Sequence, residues 1–361
     1  MSRAMNREFM DELLTLLVKL EGSDLHIKAY NYPLMRIHGD LIPQKQYPKL
    51  SPEDTHDLAY SMMNEVRQAR FEEELEMDLA YEIPNVSRYR TNIMQQRGMV
   101  SMVQRAIPTK IMSMQELNLP PVCQYFAERP RGMVLVTGPT GSGKSTTLAA
   151  MIDYINSNRS EHIMTVEDPV EFVHECKKSI INQRELGTDT LSFNNALKYV
   201  LRQDPDVILV GEMRDLETIH LAITAAETGH LVFATLHTQD ATQTVDRIID
   251  VFPNYQQAQI RMQLANNLIG VVSQTLLKRA DGHGRVAAFE TLMNSTAIRN
   301  LIREAKTFQI ASMIQTGGRQ GMMTLDQYLA ELVKRGMISR DEGLSRASNA
   351  KEYEAMLEVT K

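Results

Sequence analysis

Helical and extended hydrophobic patterns alternate over the first third of the chain. Apolar residues recur at helical spacing over residues 6–20, and Gly22 is expected to end that helix. A short hairpin is predicted over residues 23–43, with its turn at His38-Gly39-Asp40, and a capping box that begins at Ser51 predicts a second helix. These features indicate an α+β domain at the N-terminus.

Strand and helix patterns alternate regularly from Gly132 onward. Short apolar runs alternate with amphipathic stretches, and this alternation is typical of a parallel sheet covered by helices on both faces. After residue 254 the chain is expected to be mainly helical, with late helices that begin at Thr324 and Ser339. The apolar runs occupy residues 133–136, 163–166, 207–210 and 231–235, and the amphipathic stretches lie near 144–156, 192–203, 215–228 and 240–251.

A phosphate-binding motif lies between the first apolar run and the first amphipathic stretch. Residues 138–145 match G-x-x-x-x-G-K-[ST] at every fixed position, in the strand–loop–helix setting that the motif requires. Glycines let backbone N–H groups wrap phosphates, Lys144 supplies a mobile positive charge, and the Ser145 hydroxyl is a ligand for Mg²⁺. The predicted nucleotide-binding residues are Gly138, Pro139, Thr140, Gly141, Ser142, Gly143, Lys144, Ser145 and Thr146.

Three other strand ends are predicted to carry polar side chains to the same rim, where open parallel sheets bind ligands. Glu212, after Gly211, is the only acid immediately past its apolar run, so it is the candidate acid on the Mg²⁺ side. Glu167 follows another run and could polarise the attacking water. Asp168 is a weaker candidate for that task, because the turn at Pro169 can use its side chain. His237 follows a third run and either contacts the γ-phosphate or is structural.

The most basic segment of the first domain lies within a stretch, residues 79–106, that is predicted to be extended. Alternation places Arg88 and Arg90 on one face of a strand, and Arg97 and Arg105 follow. Phosphoryl transfer gains from a positive group beside the developing charge. These arginines are therefore either a finger donated across a domain or subunit interface, or a solvated strand face.

Composition narrows the classes of protein that fit these patterns. The 361 residues carry a formal net charge of −6, whereas the footprint of a nucleic-acid binder is usually basic. The two cysteines, Cys123 and Cys176, cannot build a disulfide framework or a cysteine zinc site. No signal segment is recognisable, and no apolar run approaches the roughly 20 residues that span a bilayer. A cytoplasmic protein is expected, with any membrane association made through partners.

Together the motifs resemble the type IV pilus retraction ATPases, a family within the type II/IV secretion ATPase superfamily. The resemblance covers nearly the whole chain and begins at Gly22-Ser23-Asp24-Leu25-His26. By periodicity alone, residues 297–304 indicate only an amphipathic helix, but they look like the retraction signature of that family. The other matching segments are the arginine segment 87–98, the phosphate loop 138–145, the Asp box 165–172, the Walker B region 204–215 and the His box 228–238.

This resemblance implies an architecture. Residues 1–107 would form a PAS-like domain, and the turn-rich stretch 108–120 would be a linker. Residues 121–290 would form a RecA-like P-loop core, and residues 291–361 a helical C-terminal region. The resemblance further implies a ring-shaped homohexamer in the cytoplasm, docked at the inner membrane through a platform protein of the pilus machine.

The resemblance also implies a chemistry. A cycle of ATP, with Mg²⁺, would drive pilin subunits out of the fibre base into the inner membrane, with pilin contacted indirectly and nucleic acid not at all. In the family, the glutamate at the position of Glu167 is the expected general base. The resemblance also favours Arg90 and Arg97 as arginine fingers over a solvated strand face.

Several alternatives remain open. The closest is an assembly ATPase that drives pilus extension or type II secretion. Such proteins commonly carry a longer N-terminal region and a tetracysteine zinc module, and neither is recognisable here. An accessory paralogue of the retraction enzyme is a second, disfavoured by the full retention of residues 297–304. A RecA-like nucleic-acid motor is disfavoured by the net charge, and a nucleotide-gated module without turnover is disfavoured by Glu167 and Glu212.

Overall fold

The computed structural model describes residues 6–37, 39–107 and 110–358. His38 of the predicted hairpin turn and residues 108–109 of the predicted linker lie outside these ranges. The chain divides into two compact units between Lys110 and Ile111. Each unit has its own sheet and its own hydrophobic core.

The first unit packs helices against an antiparallel sheet. Its elements are α1 (Arg7–Lys19), β1 (Asp24–Lys28), β2 (Leu34–Ile37), β3 (Asp40–Pro43), α2 (Pro52–Tyr60), α3 (Glu65–Glu74), β4 (Glu76–Ile83), β5 (Ser87–Gln96) and β6 (Met99–Ile107). The strand order is β3-β2-β1-β6-β5-β4, and every neighbouring pair is antiparallel.

Local signals account for where the helices of this unit begin. The Asn6 side chain accepts a hydrogen bond of 3.2 Å from the Phe9 N–H at the start of α1. At the start of α2, Ser51 and Asp54 form the predicted capping box in both directions. The predicted helices over residues 6–20 and after Ser51 are therefore confirmed.

Alternation along β5 decides which side chains enter the core of the first unit. Tyr89, Thr91 and Ile93 are fully buried, and the Tyr89 hydroxyl donates a 3.0 Å hydrogen bond to the Leu14 carbonyl on α1. Arg90 points to the opposite face and is exposed. The two-faced strand predicted from the sequence is present.

The second unit contains a seven-stranded sheet and most of the helices. Its elements are α4 (Pro121–Ala127), β7 (Gly132–Thr137), α5 (Lys144–Asn158), β8 (His162–Glu167), β9 (Ile180–Glu185), α6 (Phe193–Val200), β10 (Val207–Val210), α7 (Leu216–Glu227), β11 (Leu231–Leu236), α8 (Ala241–Asp250), α9 (Asn254–Asn267), β12 (Leu268–Lys278), β13 (Arg285–Met293), α10 (Thr296–Arg303), α11 (Ile310–Thr316), α12 (Leu325–Lys334), α13 (Arg340–Leu344) and α14 (Ala350–Glu358), with 3₁₀ turns at Thr307–Gln309 and Gly318–Gln320.

The sheet of the second unit is parallel except at one edge. The strand order is β13-β12-β7-β11-β10-β8-β9, and only β13 runs antiparallel to its neighbour. Alternate residues of β7 enter two different cores. Met133 and Leu135 pack with α6 to α9, whereas Val134 and Val136 pack with α4 and α5. Helices therefore cover both faces of the sheet, as the sequence predicts.

The expectation of a mainly helical chain after residue 254 is wrong for β12 and β13. β12 is almost continuously buried, because it lies between β7 and β13. A strand that is buried on both faces need not alternate apolar and polar residues, so it lacks the pattern that distinguishes a strand from a buried helix. Glycine is required at position 270 of this strand, because a Cβ there would lie 2.2 Å from the Phe126 ring. The helices predicted to begin at Thr324 and Ser339 are confirmed.

The strand β9 is absent from the sequence-based prediction altogether. It forms the other edge of the sheet and pairs in parallel with β8. Its side chains are mostly polar or partly exposed, so the sequence contains no apolar run that would predict this strand. Within the described ranges, no helix is long and apolar enough to cross a lipid bilayer.

Candidate active site

The predicted phosphate loop connects β7 to α5 through glycines with positive φ. Gly138 and Gly143 have φ values of 137° and 90°, and Gly143 is the N-cap of α5. A Cβ at Gly138 would lie 2.2 Å from the backbone carbonyl oxygen of Gln274 on β12. Glycine is therefore required there by close approach as well as by conformation.

The ammonium of Lys144 lies over this loop. Its Nζ donates hydrogen bonds to the carbonyl oxygens of Gly138 at 2.8 Å and Pro139 at 3.1 Å. Burial lowers the pKa of Lys144, and the carboxylates of Glu212 and Glu171 oppose that shift by electrostatic attraction. Ser145 and Thr146 follow in the first turn of α5 and are partly exposed. The loop thus combines a helix N-terminus with a positive charge, as an anion site requires.

Gln274 holds the loop in this shape, and sequence reasoning missed it. Its Nε2 donates a 2.6 Å hydrogen bond to the Ser142 carbonyl, and its Oε1 accepts a 2.8 Å hydrogen bond from the Thr147 hydroxyl on α5. Beside it on β12, the Ser273 hydroxyl is hydrogen-bonded at 2.8 Å to the Thr137 hydroxyl at the end of β7. The sequence signal that could have revealed Gln274 is the polar pair Ser273-Gln274 inside an otherwise apolar run. The run lies in a region that was expected to be helical.

Hydrogen bonds connect the carboxyl ends of β8, β10 and β11 beside the phosphate loop. The Gly211 N–H donates to the Val166 carbonyl at 2.7 Å, and the Thr235 hydroxyl donates to the Gly211 carbonyl at 2.5 Å. A Cβ at Gly211 would lie 3.0 Å from the Glu167 Cα, so the absence of a side chain brings the two strand ends close. The predicted convergence of strand ends is confirmed.

Glu212 lies at this rim between a guanidinium group and an imidazole group. Arg214 donates to its Oε2 at 2.7 Å, and His237 Nε2 lies 3.0 Å from its Oε1. The Arg214 hydrogen bond is the main reason that the pKa of Glu212 is held below its usual value, and His237 adds to the effect. Asp168, the weaker candidate, is exposed and faces Arg214 at 3.8 Å.

Glu167 has a different environment at the end of β8. Its Oε1 accepts hydrogen bonds from the Thr165 hydroxyl at 2.6 Å and from Gln183 Nε2 at 3.2 Å. Protein atoms surround the carboxyl group on most sides, although the residue keeps partial contact with solvent. This burial raises the pKa of Glu167 to about 7, and the two hydrogen bonds oppose the rise. A carboxyl group with such a pKa can take up a proton near neutral pH.

The two predicted arginine fingers lie in the first unit. Arg90 is exposed on β5 and is the cross-strand partner of Arg105 on β6. Arg97 has a φ of 52° and forms the two-residue turn between β5 and β6 with Gly98, whose φ is 73°. Positive φ at both positions is typical of a type I′ hairpin turn. Their action on a nucleotide stays a prediction.

The oxygen donors at the rim fit Mg²⁺. Within the described residues, no group of three or more His, Cys, Asp and Glu side chains could hold a metal by itself. Ser145 and Glu212 are both near Lys144. Ser145 follows it in α5, and the Glu212 carboxylate attracts its ammonium group electrostatically. Mg²⁺ usually takes one or two protein oxygens and completes its shell with substrate phosphates and water. The two residues suit that arrangement.

Comparison with known proteins gives consistent matches over both units. Residues 65–358 match the family described as type II/IV secretion system protein. The chain is 52% identical over 336 residues to the type IV pilus retractation ATPase PilT of Pseudomonas aeruginosa, covering 93% of this chain and 97% of that relative. It is 53% identical over 322 residues to a twitching motility protein of Neisseria gonorrhoeae, covering 89% and 86%. A crystal structure of the pilus retraction motor PilT with bound ADP aligns with a TM-score of 0.90 and 48% identity, over 95% of this chain and 98% of that chain.

Proposed function

The chain belongs to the family of type II/IV secretion system proteins, and on that premise we propose that it hydrolyses ATP to power the retraction of type IV pili. The observation that carries the proposal is similarity to retraction ATPases across both units, in a chain whose phosphate loop has the geometry of an anion site. A motor that binds ATP at this loop needs groups that neutralise charge and orient water, because phosphoryl transfer requires little covalent help.

The phosphate loop binds the triphosphate. Backbone N–H groups of the loop, of which Pro139 has none, and the N-terminus of α5 bind the phosphates, and Lys144 exchanges the carbonyl oxygens of Gly138 and Pro139 for phosphate oxygens. Ser145 and Glu212 would hold Mg²⁺, and the bound cation would supply positive charge that offsets the charge of the phosphates. His237, whose Nε2 lies 3.0 Å from Glu212 Oε1, is the proposed sensor of the γ-phosphate.

Glu167 is the general base. Its pKa of about 7 lets the carboxylate accept a proton from the attacking water near neutral pH, whereas Glu212 stays charged. This contrast supports a division in which Glu167 takes the proton and Glu212 binds Mg²⁺.

We propose a homohexamer in which Arg90 and Arg97 reach a nucleotide as arginine fingers. Residues 1–107 correspond to a PAS-like domain, 108–120 to a linker, 121–290 to a RecA-like core and 291–361 to a helical region. The ring acts in the cytoplasm on an inner-membrane platform protein of the pilus machine, reaches pilin only indirectly and does not bind nucleic acid.

Deletion of the gene tests the direction of the motor. We expect surface pili to accumulate while twitching stops, and expect a wild-type copy, but not Lys144→Ala, to restore twitching. Loss of pili on deletion would contradict retraction and favour an assembly ATPase.

Phosphate release by the purified protein tests turnover. We expect Mg²⁺-dependent release that Glu212→Ala reduces, because Glu212 lies at the rim beside Lys144. Equal, negligible release by both proteins would contradict an enzyme and favour a module that binds ATP without hydrolysing it.

A further inference from the structure

Gln183 on β9 is brought beside Glu167 by the pairing of β8 with β9. In the parallel register Gln183 is the partner of Thr165, which lies two residues before Glu167 on the same face of β8. Gln183 Nε2 lies 3.2 Å from Glu167 Oε1, and the Thr165 hydroxyl lies 2.6 Å from the same oxygen. Two elements of the sheet therefore deliver donors to one atom.

The orientation of the Gln183 amide is determined by its other contacts. Its Oε1 accepts a 2.8 Å hydrogen bond from the His174 N–H, and a backbone N–H can only donate. Nε2 must then be the atom on the opposite side, where it donates to the Phe172 carbonyl at 2.8 Å and to Glu167. The amide uses both of its N–H groups, so it cannot rotate without losing contacts to the segment that follows Glu167.

Both donors to the Glu167 carboxylate converge on Oε1. Among the described residues, hydrogen bonds to this side chain come from Thr165 and Gln183 and end on that oxygen. A carboxylate fixed at one oxygen presents the other in a defined direction. Oε2 is therefore the atom that remains to accept a proton.

We propose that Gln183 is a positioning residue which, together with Thr165, holds Glu167 by Oε1 and directs Oε2 to the attacking water. The inference rests on the proposed role of Glu167 as general base and extends it to two residues that act through the Glu167 side chain. It accounts for a polar strand, β9, at the edge of a sheet whose central strands are apolar.

The charges around Glu167 give the expected direction of a pH effect. Burial and the nearby carboxylates of Glu171 and Glu185 raise the pKa of Glu167, and the Thr165 and Gln183 hydrogen bonds lower it. Removing either donor should therefore raise that pKa and move the acidic limb of the rate profile to higher pH.

The test is steady-state ATPase kinetics of the full chain with Gln183→Met, which keeps the length of the side chain and removes its donors. We expect kcat to fall roughly tenfold, the size of a lost hydrogen bond to a charged group, while KM for ATP changes less than about twofold. The acidic limb of the profile should move to higher pH. Asn182→Met on the same strand is the matched control, since the Asn182 amide contacts His162 instead.

A second background separates positioning from general damage. If Gln183 acts through Glu167, the effect of Gln183→Met should disappear in Glu167→Gln, because the base is already absent. An equal loss in that background, or wild-type kcat and pH profile for Gln183→Met, would overturn the inference. If Glu167→Gln itself keeps wild-type kcat, the proposed general base fails instead.

Thr165 provides a test that is independent of the loop contacts of Gln183. Thr165→Val removes one donor to Glu167 at nearly constant volume, and Thr165→Ser retains it. If Gln183→Met fails to fold, lowered kcat and a shifted acidic limb in Thr165→Val, restored in Thr165→Ser, support the inference. Wild-type behaviour of Thr165→Val overturns it.

Discussion

The ends of β8 and β10 carry the same side chain in different surroundings. At the end of β8, Glu167 is enclosed and, within the described part of the chain, receives its hydrogen bonds from the neutral donors Thr165 and Gln183, and its pKa rises to about 7. At the end of β10, Glu212 contacts Arg214 and His237, and its pKa falls below the usual value. The two strands are direct neighbours in the sheet, so a short distance separates opposite electrostatic environments.

This difference shows how one rim can divide the work of phosphoryl transfer. Titratable groups whose surroundings push their pKa values apart take different roles in acid–base chemistry. A carboxyl group with a pKa near 7 can exchange a proton with water, whereas a carboxylate held charged can only attract cations. Substitutions at Glu167 and at Glu212 should therefore impair ATP hydrolysis in different ways.

Loss of the base should have the largest effect. Glu167→Gln keeps the shape of the side chain but cannot accept a proton, so kcat should fall by roughly 10²- to 10⁴-fold while ATP still binds. Phosphate release and nucleotide binding, measured on the same preparation, check this. The matched control is Asp168→Asn, one residue along and facing Arg214. A larger loss in Asp168→Asn than in Glu167→Gln would reverse the two assignments.

Loss of the charged acid should change the requirement for metal. Glu212→Gln removes an anionic oxygen beside Lys144, so the Mg²⁺ concentration for half-maximal activity should rise by roughly 10- to 100-fold. Excess Mg²⁺ should restore part of the rate, as seen in a Mg²⁺ titration. Glu217→Gln, which neutralises a carboxylate paired with Lys198 on the surface, should leave the titration unchanged. An unaltered Mg²⁺ requirement in Glu212→Gln would contradict the metal role.

The pH profile of the wild type should report Glu167. Because the base must be deprotonated, kcat/KM should rise about tenfold per pH unit below about 7 and level off above it. The residual activity of Glu167→Gln should lack this limb. A wild-type profile that is flat between about pH 5.5 and 7 would show that no group with this pKa controls the step.

The pH dependence of thermal stability should also differ between Glu167 and Glu212, and this is the smallest of the expected effects. The pKa of Glu167 is raised in the folded state, so its contribution to stability is present at low pH and is lost as the pH rises through about 7. Glu167→Gln should therefore melt higher than wild type at pH 8.5, by a few degrees at about 2–4 °C per kcal/mol, and close to wild type at pH 4.5.

Glu212 should have the opposite sign in the same melting experiment. Its pKa is lowered in the folded state, so its contribution is present at neutral pH and lost in acid. Glu212→Gln should melt below wild type at neutral pH and approach it in acid. Shifts of the same sign for both variants would remove the contrast between the two strand ends.

The parts of the site that the sequence predicts are those built from neighbouring residues. The phosphate loop is contiguous, and Glu212 and Glu167 each follow an apolar run, so strand–loop–helix logic places them at one rim. Gln274 and Gln183 escaped prediction because each lies on a strand that the periodicity does not reveal. β12 is buried on both faces, so its sequence lacks the alternation of apolar and polar residues, and β9 is mostly polar and lies at an edge.

The sequence by itself determined the alternating strands and helices from β7 to α8, with the exception of β9, as well as the phosphate loop and the identity of the acids at the strand ends. These depend on local periodicity and on residue types at fixed spacing, which a single segment of chain contains. Only the tertiary structure decided that Glu167 is enclosed by neutral donors and that Glu212 lies between Arg214 and His237. The pKa of a carboxyl group depends on burial and on charges a few ångströms away, and parallel pairing brings those neighbours from strands far apart in the chain.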